Sequence, residues 1–134
     1  MAGYSGTPLP QKLGIKPGAR VALLRAPAGF TLDDTPSNAV MVSSLRGKAT
    51  FDVILFFTDS SALLADQFRT LVARLTTAGG LWIAWPKKAS GMETDVTENI
   101  VRDIGLGHGL VDNKVCAVDD TWSGLRFVRR LKDR

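Results

Sequence analysis

Short apolar segments along the chain predict the strands of a buried sheet. Residues 20–24, 51–57 and 81–85 consist almost entirely of apolar side chains, which is the pattern of a strand covered on both faces. Weaker segments of the same kind complete the series. The predicted strands are 20–24, 39–45, 51–57, 81–85, 110–118 and 125–131.

Segments with helical spacing alternate with these strands. The first apolar stripe consists of Leu64, Phe68, Leu71 and Leu75. Asp59 or Ser60 can cap this helix. A second helix is predicted to begin near Asp95, because Asp95 and Glu98 have the spacing of a capping box. A short helix is also expected within residues 7–14, where a proline follows a threonine and a glycine closes the segment.

The alternation of strands and helices, followed by a closing pair of strands, predicts the fold class. We expect an α/β protein with a Rossmann-like three-layer sandwich, in which a mostly parallel sheet ends in an antiparallel β-hairpin. No internal repeat or long linker divides the 134 residues. A chain of this length forms one core, so a single domain over residues 1–134 is predicted.

Composition narrows the class of protein. Hydrophobic residues make up 45% and charged residues 22%, as in ordinary globular proteins. The longest apolar run, residues 53–57, is far shorter than the roughly 20 residues that cross a bilayer, so no membrane partner is expected. One cysteine cannot form an internal disulfide, and residues 1–6 show no secretory pattern. A cytoplasmic location is therefore predicted, and the net charge of +4 points to anionic partners.

A candidate ligand site is predicted where the parallel strands end, because ligands bind there in open α/β sheets. This rim carries cations that suit a phosphate or carboxylate, and a tryptophan that could stack on a ring. The alternative is an ordinary solvated surface. The candidate ligand-binding residues are Arg25, Arg46, Asp59, Lys87, Lys88, Asp119, Asp120 and Trp122.

Some of these residues also have a structural interpretation. Asp119 and Asp120 are expected to form a turn more often than a cation site, and Trp122 to close the hairpin on the core. Neither a cofactor nor a metal is predicted, since one histidine and one cysteine do not make a zinc site. A nucleic-acid alternative rests on Arg126, Arg129 and Arg130, although successive side chains of a strand point to opposite faces.

The sequence resembles two known protein families, each through short motifs. Residues 16–21 are similar to the turn into the first strand of class I methyltransferases, and residues 51–55 and 78–83 to their fourth and fifth strands. This implies their Rossmann-like fold in a shortened form. The loop after the first strand, residues 24–30, holds one glycine and no acidic residue, unlike the glycine-rich cofactor turn of that family. The second predicted strand also lacks the acidic residue that would hold a ribose.

The chain is also identified as resembling a family of small bacterial proteins of unknown function, family 3052. The motifs are residues 3–9, 85–91 and 115–129, the last with its Trp-Ser-Gly at 122–124. This resemblance supports the fold, assigns no activity and leaves the function open. From the charged rim we predict a non-catalytic module that binds a small anionic or phosphate-bearing molecule. The alternatives are an interaction protein that docks a protein or nucleic acid, and a divergent methyltransferase-like enzyme; the oligomeric state is not predicted.

Overall fold

The computed structural model describes residues 7–134, which form one mixed sheet with helices packed on it. The strands of this part are β1 (Arg20–Leu24), β2 (Val40–Val42), β3 (Phe51–Phe57), β4 (Leu75–Pro86), β5 (Leu110–Ala117) and β6 (Trp122–Arg129). The α-helices are α1 (Leu9–Lys12), α2 (Ser61–Ala73) and α3 (Glu98–Gly107), and short 3-10 turns cover Lys88–Ser90 and Leu131–Asp133.

The strand order is β2-β1-β3-β4-β6-β5. Strands β2, β1, β3 and β4 run parallel, whereas β6 lies antiparallel between β4 and β5. The chain reaches β5 through α3 and then turns back to fill the place between β4 and β5. The predicted α/β Rossmann-like sandwich with a closing antiparallel hairpin is confirmed.

Two apolar clusters cover the two faces of the sheet. On one face, α2 and α3 pack through Phe68 and Val101 against Ile54, Phe56 and Phe127. The opposite cluster contains no long helix. It is built from the α1 segment and the connection between β1 and β2, which lay Leu13, Ile15, Phe30 and Leu32 on Leu55, Phe57 and Trp82. The third layer is therefore mostly loop, and it depends on a few apolar anchors.

Some strand bounds match the prediction and others do not. β1 and β3 have the predicted bounds, whereas β2 keeps only three residues of the predicted 39–45. β5 ends one residue before the predicted bound, whereas β6 begins at Trp122, three residues early, and ends at Arg129.

β4 begins at Leu75, six residues early, and continues through Gly79 and Gly80. The strand continues through the glycines because Gly80 pairs with Val53 of β3. A side chain would have no room at Gly80, where a Cβ would be 2.4 Å from Arg126 Nε.

The start of α3 differs from the predicted capping box. Thr97 is the N-cap, and its side chain accepts a hydrogen bond from Ile100 N at 3.2 Å. Asp95 instead accepts hydrogen bonds from the backbone and hydroxyl of Ser61, at 2.8 and 2.5 Å. The carboxylate thus ties the loop before α3 to the start of α2, whose N-cap is the predicted Ser60. At α1, proline is the N-cap and no side chain caps the helix.

Residues 1–6 lie outside the described residues. The expectation of no secretory segment and the first part of the 3–9 motif fall there. Within residues 7–134, none of the helices has the length and apolar character that a bilayer crossing requires.

Candidate functional site at the carboxyl edge of the sheet

The carboxyl ends of the parallel strands meet at one edge, as the sequence predicts. From β1 the chain moves outward to β2 and then returns to β3 on the other side of β1. The sheet therefore has a topological switch point between β1 and β3. In open α/β sheets, the connections diverge at this point and leave a crevice where ligands bind.

A cleft of about 350 Å³ opens at the switch point, on the face covered by α2. Its floor and walls are apolar, and three polar side chains, Arg25, Ser43 and Gln67, line it as well. We call it the switch-point cleft. It is lined by Leu24, Arg25, Ser43, Leu45, Phe56, Leu63, Gln67 and Leu71. An apolar cavity with a few polar groups is typical of a small-molecule site.

Arg25 is the charged residue of the switch-point cleft. It directly follows β1 and has a φ of 59°, a left-handed backbone conformation that non-glycine residues rarely adopt. Such conformations cost of order 1 kcal/mol or more, and they persist where surrounding structure enforces them. Among residues 7–134, no hydrogen bond or ion pair engages its exposed side chain. The N–H groups of the guanidinium are therefore available to bind a ligand or water.

The wall from α2 was not predicted from the sequence. Leu63, Gln67 and Leu71 follow one another at intervals of four residues, so they lie on one face of the helix. This spacing was a usable signal, because Gln67 interrupts an otherwise apolar row. Ser43 had no comparable signal, since its position depends on where β2 ends.

The connection after β1 is packed on the opposite face of the sheet. The rings of Phe30 and Phe57 are 5.0 Å apart in an edge-to-face arrangement, and Ala26 and Leu32 pack on the same cluster. A glycine-rich turn that approaches a cofactor closely is absent from residues 25–39, and no acidic residue follows β2 before residue 50. The residues at this edge therefore do not fit the S-adenosylmethionine pattern of class I methyltransferases.

The remaining rim residues are divided among other positions. Lys88 lines a separate cleft of about 340 Å³ beside α3, together with Trp85, Thr94 and Glu98. The backbone N–H of Lys87 donates to Thr121 O at 2.7 Å, which joins the end of β4 to the hairpin. Arg46, Asp59 and Asp120 are exposed and line neither cleft. The residues predicted to form one cationic site therefore do not lie together, because Arg25 and Lys88 line two separate clefts.

The hairpin residues have structural contacts. Asp119 Oδ1 accepts hydrogen bonds from the backbone of Thr121 and of Trp122, both at 2.8 Å. This is the turn that the sequence favours for the acidic pair. Trp122 is 7% exposed, and its ring meets the edge of Phe57 with centroids 5.2 Å apart. The indole is a lid on the core and presents little surface for stacking.

The three arginines of the nucleic-acid alternative do not form one patch. Arg129 Nη2 donates to Val72 O and Leu75 O, each at 2.9 Å, beneath the end of α2. Arg126 lies on the other face of β6, where its strand partner is Trp82. Strand alternation separates these charges, so the structure offers no single face with all three.

Cys116 and His108 have surroundings that favour a structural role. Clusters of three or more metal-ligating side chains are absent from residues 7–134. Burial raises the pKa of the Cys116 thiol, which makes it a poor nucleophile at neutral pH. The His108 ring packs on Phe68 with centroids 4.8 Å apart, and its Nδ1 lies 2.9 Å from Ile104 O.

Neither the protein-family models nor the curated protein sequences include a match to this chain. The resemblance to family 3052 is therefore not confirmed. Comparison with solved structures, in contrast, finds methyltransferases.

A SAM-dependent methyltransferase from Aquifex aeolicus is 18% identical, with a TM-score of 0.58 over 87% of this chain and 85% of that one. The ribosomal protein L11 methylase from Lactobacillus delbrueckii subsp. bulgaricus is 12% identical, with a TM-score of 0.60 over 91% and 75%. The Burkholderia thailandensis 1,6-didemethyltoxoflavin-N1-methyltransferase is 13% identical, with a TM-score of 0.61 over 90% and 76%. At these identities the likeness shows the fold alone: the chain has a methyltransferase-like Rossmann fold.

Proposed function

We propose that this chain is a small-molecule-binding module built on a methyltransferase-like fold, with its ligand in the switch-point cleft. The single observation that supports this most is the position of Arg25, an exposed guanidinium at the mouth of an apolar cleft at the switch point. A ligand with a compact apolar or aromatic body and an anionic group matches this arrangement. The anionic group would meet Arg25, and the body would lie on Phe56 and Leu71.

We propose binding without methyl transfer because the loop after β1 packs against the sheet. Phe30 and Leu32 hold that loop against the sheet, so its backbone is not placed to enclose a cofactor. The divergent methyltransferase is the second candidate, and the fold likeness favours it. One solved neighbour, the Burkholderia enzyme, was determined with S-adenosylhomocysteine bound. The two candidates differ in the ligand that they require.

Calorimetric titration of the purified chain can separate these candidates. The probes are adenosine monophosphate, inorganic phosphate, S-adenosylmethionine and S-adenosylhomocysteine. We expect adenosine monophosphate to bind, and Arg25→Gln to weaken its affinity by about tenfold or more, because a charged hydrogen bond is lost. Lys48→Gln is the matched control, since it removes one exposed positive charge from the loop before β3.

The outcomes distinguish the two proposals. Equal affinity in the wild type and Arg25→Gln, or binding by none of the anionic probes, would overturn the switch-point assignment. Binding of S-adenosylmethionine that Arg25→Gln leaves unchanged, together with methyl transfer to an added acceptor, would establish the divergent enzyme instead.

A further inference from the structure

A third cavity opens at the opposite edge of the sheet, where the parallel strands begin. It has a volume of about 290 Å³ and lies between the turn before β1 and the first half of β4. We call it the amino-edge cavity. Its lining includes Lys16, Gly18, Asp52, Thr76, Gly79 and Arg126. None of the residues predicted for the carboxyl edge belongs to it.

Arg126 is the unusual residue of the amino-edge cavity. Its Nε is buried and has no hydrogen-bond partner among the described residues. Its Nη1 makes one long contact, 3.4 Å to Asn113 Oδ1. Burial lowers the pKa of the guanidinium, and the positive charge of Arg134 lowers it further. The residue as a whole is half-buried, but a buried N–H without an acceptor is costly, so this position favours an added acceptor.

The Arg126 side chain occupies space that is free because residue 80 is a glycine. A Cβ on Gly80 would lie 2.4 Å from Arg126 Nε and 2.8 Å from Nη2. A Cβ on Gly79 would lie 2.7 Å from Thr76 Oγ1 and 2.9 Å from Asp52 O. Gly80 thus lets β4 pass directly beneath the guanidinium, whereas Gly79 makes room for Thr76 and the backbone of Asp52. Arg126 is therefore seated in the sheet and is not part of a frayed basic terminus.

The carboxylate of the cavity does not neutralise Arg126. Asp52 Oδ2 accepts from Arg20 N at 2.9 Å, and Oδ1 accepts from Thr76 Oγ1 at 3.3 Å. Both ion pairs found among residues 7–134 belong to Arg102, on α3. Lys16 adds a second cation to the lining, so the cavity carries two positive charges and one negative charge.

We propose that the amino-edge cavity binds the oxyanion group of a small ligand, a carboxylate or a phosphate, through Arg126 and Lys16. A planar guanidinium matches both groups because it can donate two parallel hydrogen bonds. Lys16 supplies an exposed ammonium in the lining of the cavity. This site is independent of the switch-point cleft, because the two lie at opposite edges of the sheet and share no residue.

Calorimetry with inorganic phosphate and with succinate tests the proposal and separates the two oxyanion sources. We expect one of the two probes to bind the wild-type chain, and Arg126→Gln and Lys16→Gln each to weaken that binding by about tenfold or more. Lys132→Gln is the matched control, because it removes an exposed positive charge near the same edge without touching the lining.

Thermal unfolding without ligand provides a second readout. We expect Arg126→Gln to melt no lower than the wild type, because it removes a partly desolvated charge that has no ion pair and only one long hydrogen bond within residues 7–134. A melting temperature several degrees lower would show that Arg126 is a structural residue. Loss of binding in Arg25→Gln with retention in Arg126→Gln would place the anion at the carboxyl edge and overturn this proposal alone. Failure of both probes to bind would overturn it as well.

Discussion

Gly105 and Arg129 make packing contacts in this fold, although the sequence pattern predicts a helix end at the first and a surface position at the second. Gly105 follows the apolar stripe of α3 and would ordinarily signal a helix end. The helix nevertheless continues to Gly107, because Gly105 faces β6 and lets the helix approach Phe127 closely. Arg129 similarly reaches beneath α2 to bind backbone carbonyls. Both contacts join residues that are far apart in the sequence, so the local pattern of apolar and polar residues does not predict them.

Gly105→Ala is expected to destabilise the fold strongly. The added Cβ would lie 2.1 Å from Phe127 Cε1, within a buried contact between helix and sheet. Overpacking of this kind costs about 1–3 kcal/mol. Gly107→Ala is the control in the same helix, because a Cβ there meets nothing within 4 Å. Chemical denaturation should show the loss only for Gly105→Ala; equal free energies of unfolding for the two variants would contradict the close contact.

At the scale of elements, the sequence predicts the fully apolar strands better than those whose ends depend on pairing. β1 and β3 are continuous apolar runs buried on both faces, so their pattern alone defines them. The start of β4 is set by pairing with β3, whose register shifts between Phe51 and Val53. Asp95 has the spacing of a helix cap but bonds to Ser61 instead. Both outcomes depend on partners more than twenty residues away.

The Asp95 contact predicts a pH dependence of stability. Hydrogen bonds from the Ser61 side chain and backbone lower the pKa of this carboxyl below its usual value. A lowered folded-state pKa stabilises the fold above the unfolded value of about 3.9. The contribution is then lost as pH falls through the folded pKa. Asp95→Ala should therefore be less stable than the wild type at pH 7, and the difference should shrink towards pH 3.

Urea denaturation at both pH values measures this difference. Glu93→Ala is the control, since this exposed carboxylate lies in the same loop and has no hydrogen bond to Ser61. Equal destabilisation of the fold by Asp95→Ala at pH 7 and at pH 3 would contradict the prediction. The carboxylate charge would then not be what stabilises the contact between the loop before α3 and Ser61.

At the scale of the whole molecule, the fold class and the edge of the sheet that holds candidate site residues were predictable. Arg25 was predicted as a ligand residue and lies on the switch-point cleft. The division of the rim into separate clefts was not predictable, because it depends on how α2 and α3 pack. The amino-edge cavity was missed for a similar reason: it joins residues from four distant segments, and the space for the Arg126 guanidinium depends on Gly80.

The uneven covering of the two sheet faces predicts uneven stability. Helices α2 and α3 cover one face, whereas residues 25–39 cover part of the other with few backbone hydrogen bonds of their own. Segments of that kind open at a lower free energy than the global unfolding. Hydrogen exchange should therefore be fastest in residues 25–39 and β2, and slowest in β3 and the second half of β4.

Phe30→Ala tests what holds that connection in place. Phe30 is half-buried, and its ring contacts Phe57, so its removal should cost about 1–2 kcal/mol, less than a fully buried phenylalanine. Because Arg25 begins the same connection, exchange should accelerate there and affinity at the switch-point cleft should fall, while α2 stays protected. Leu106→Ala, on an exposed position of α3, should change neither. Equal acceleration throughout the sheet in Phe30→Ala would show instead that the loop layer and the helices unfold as one cooperative unit.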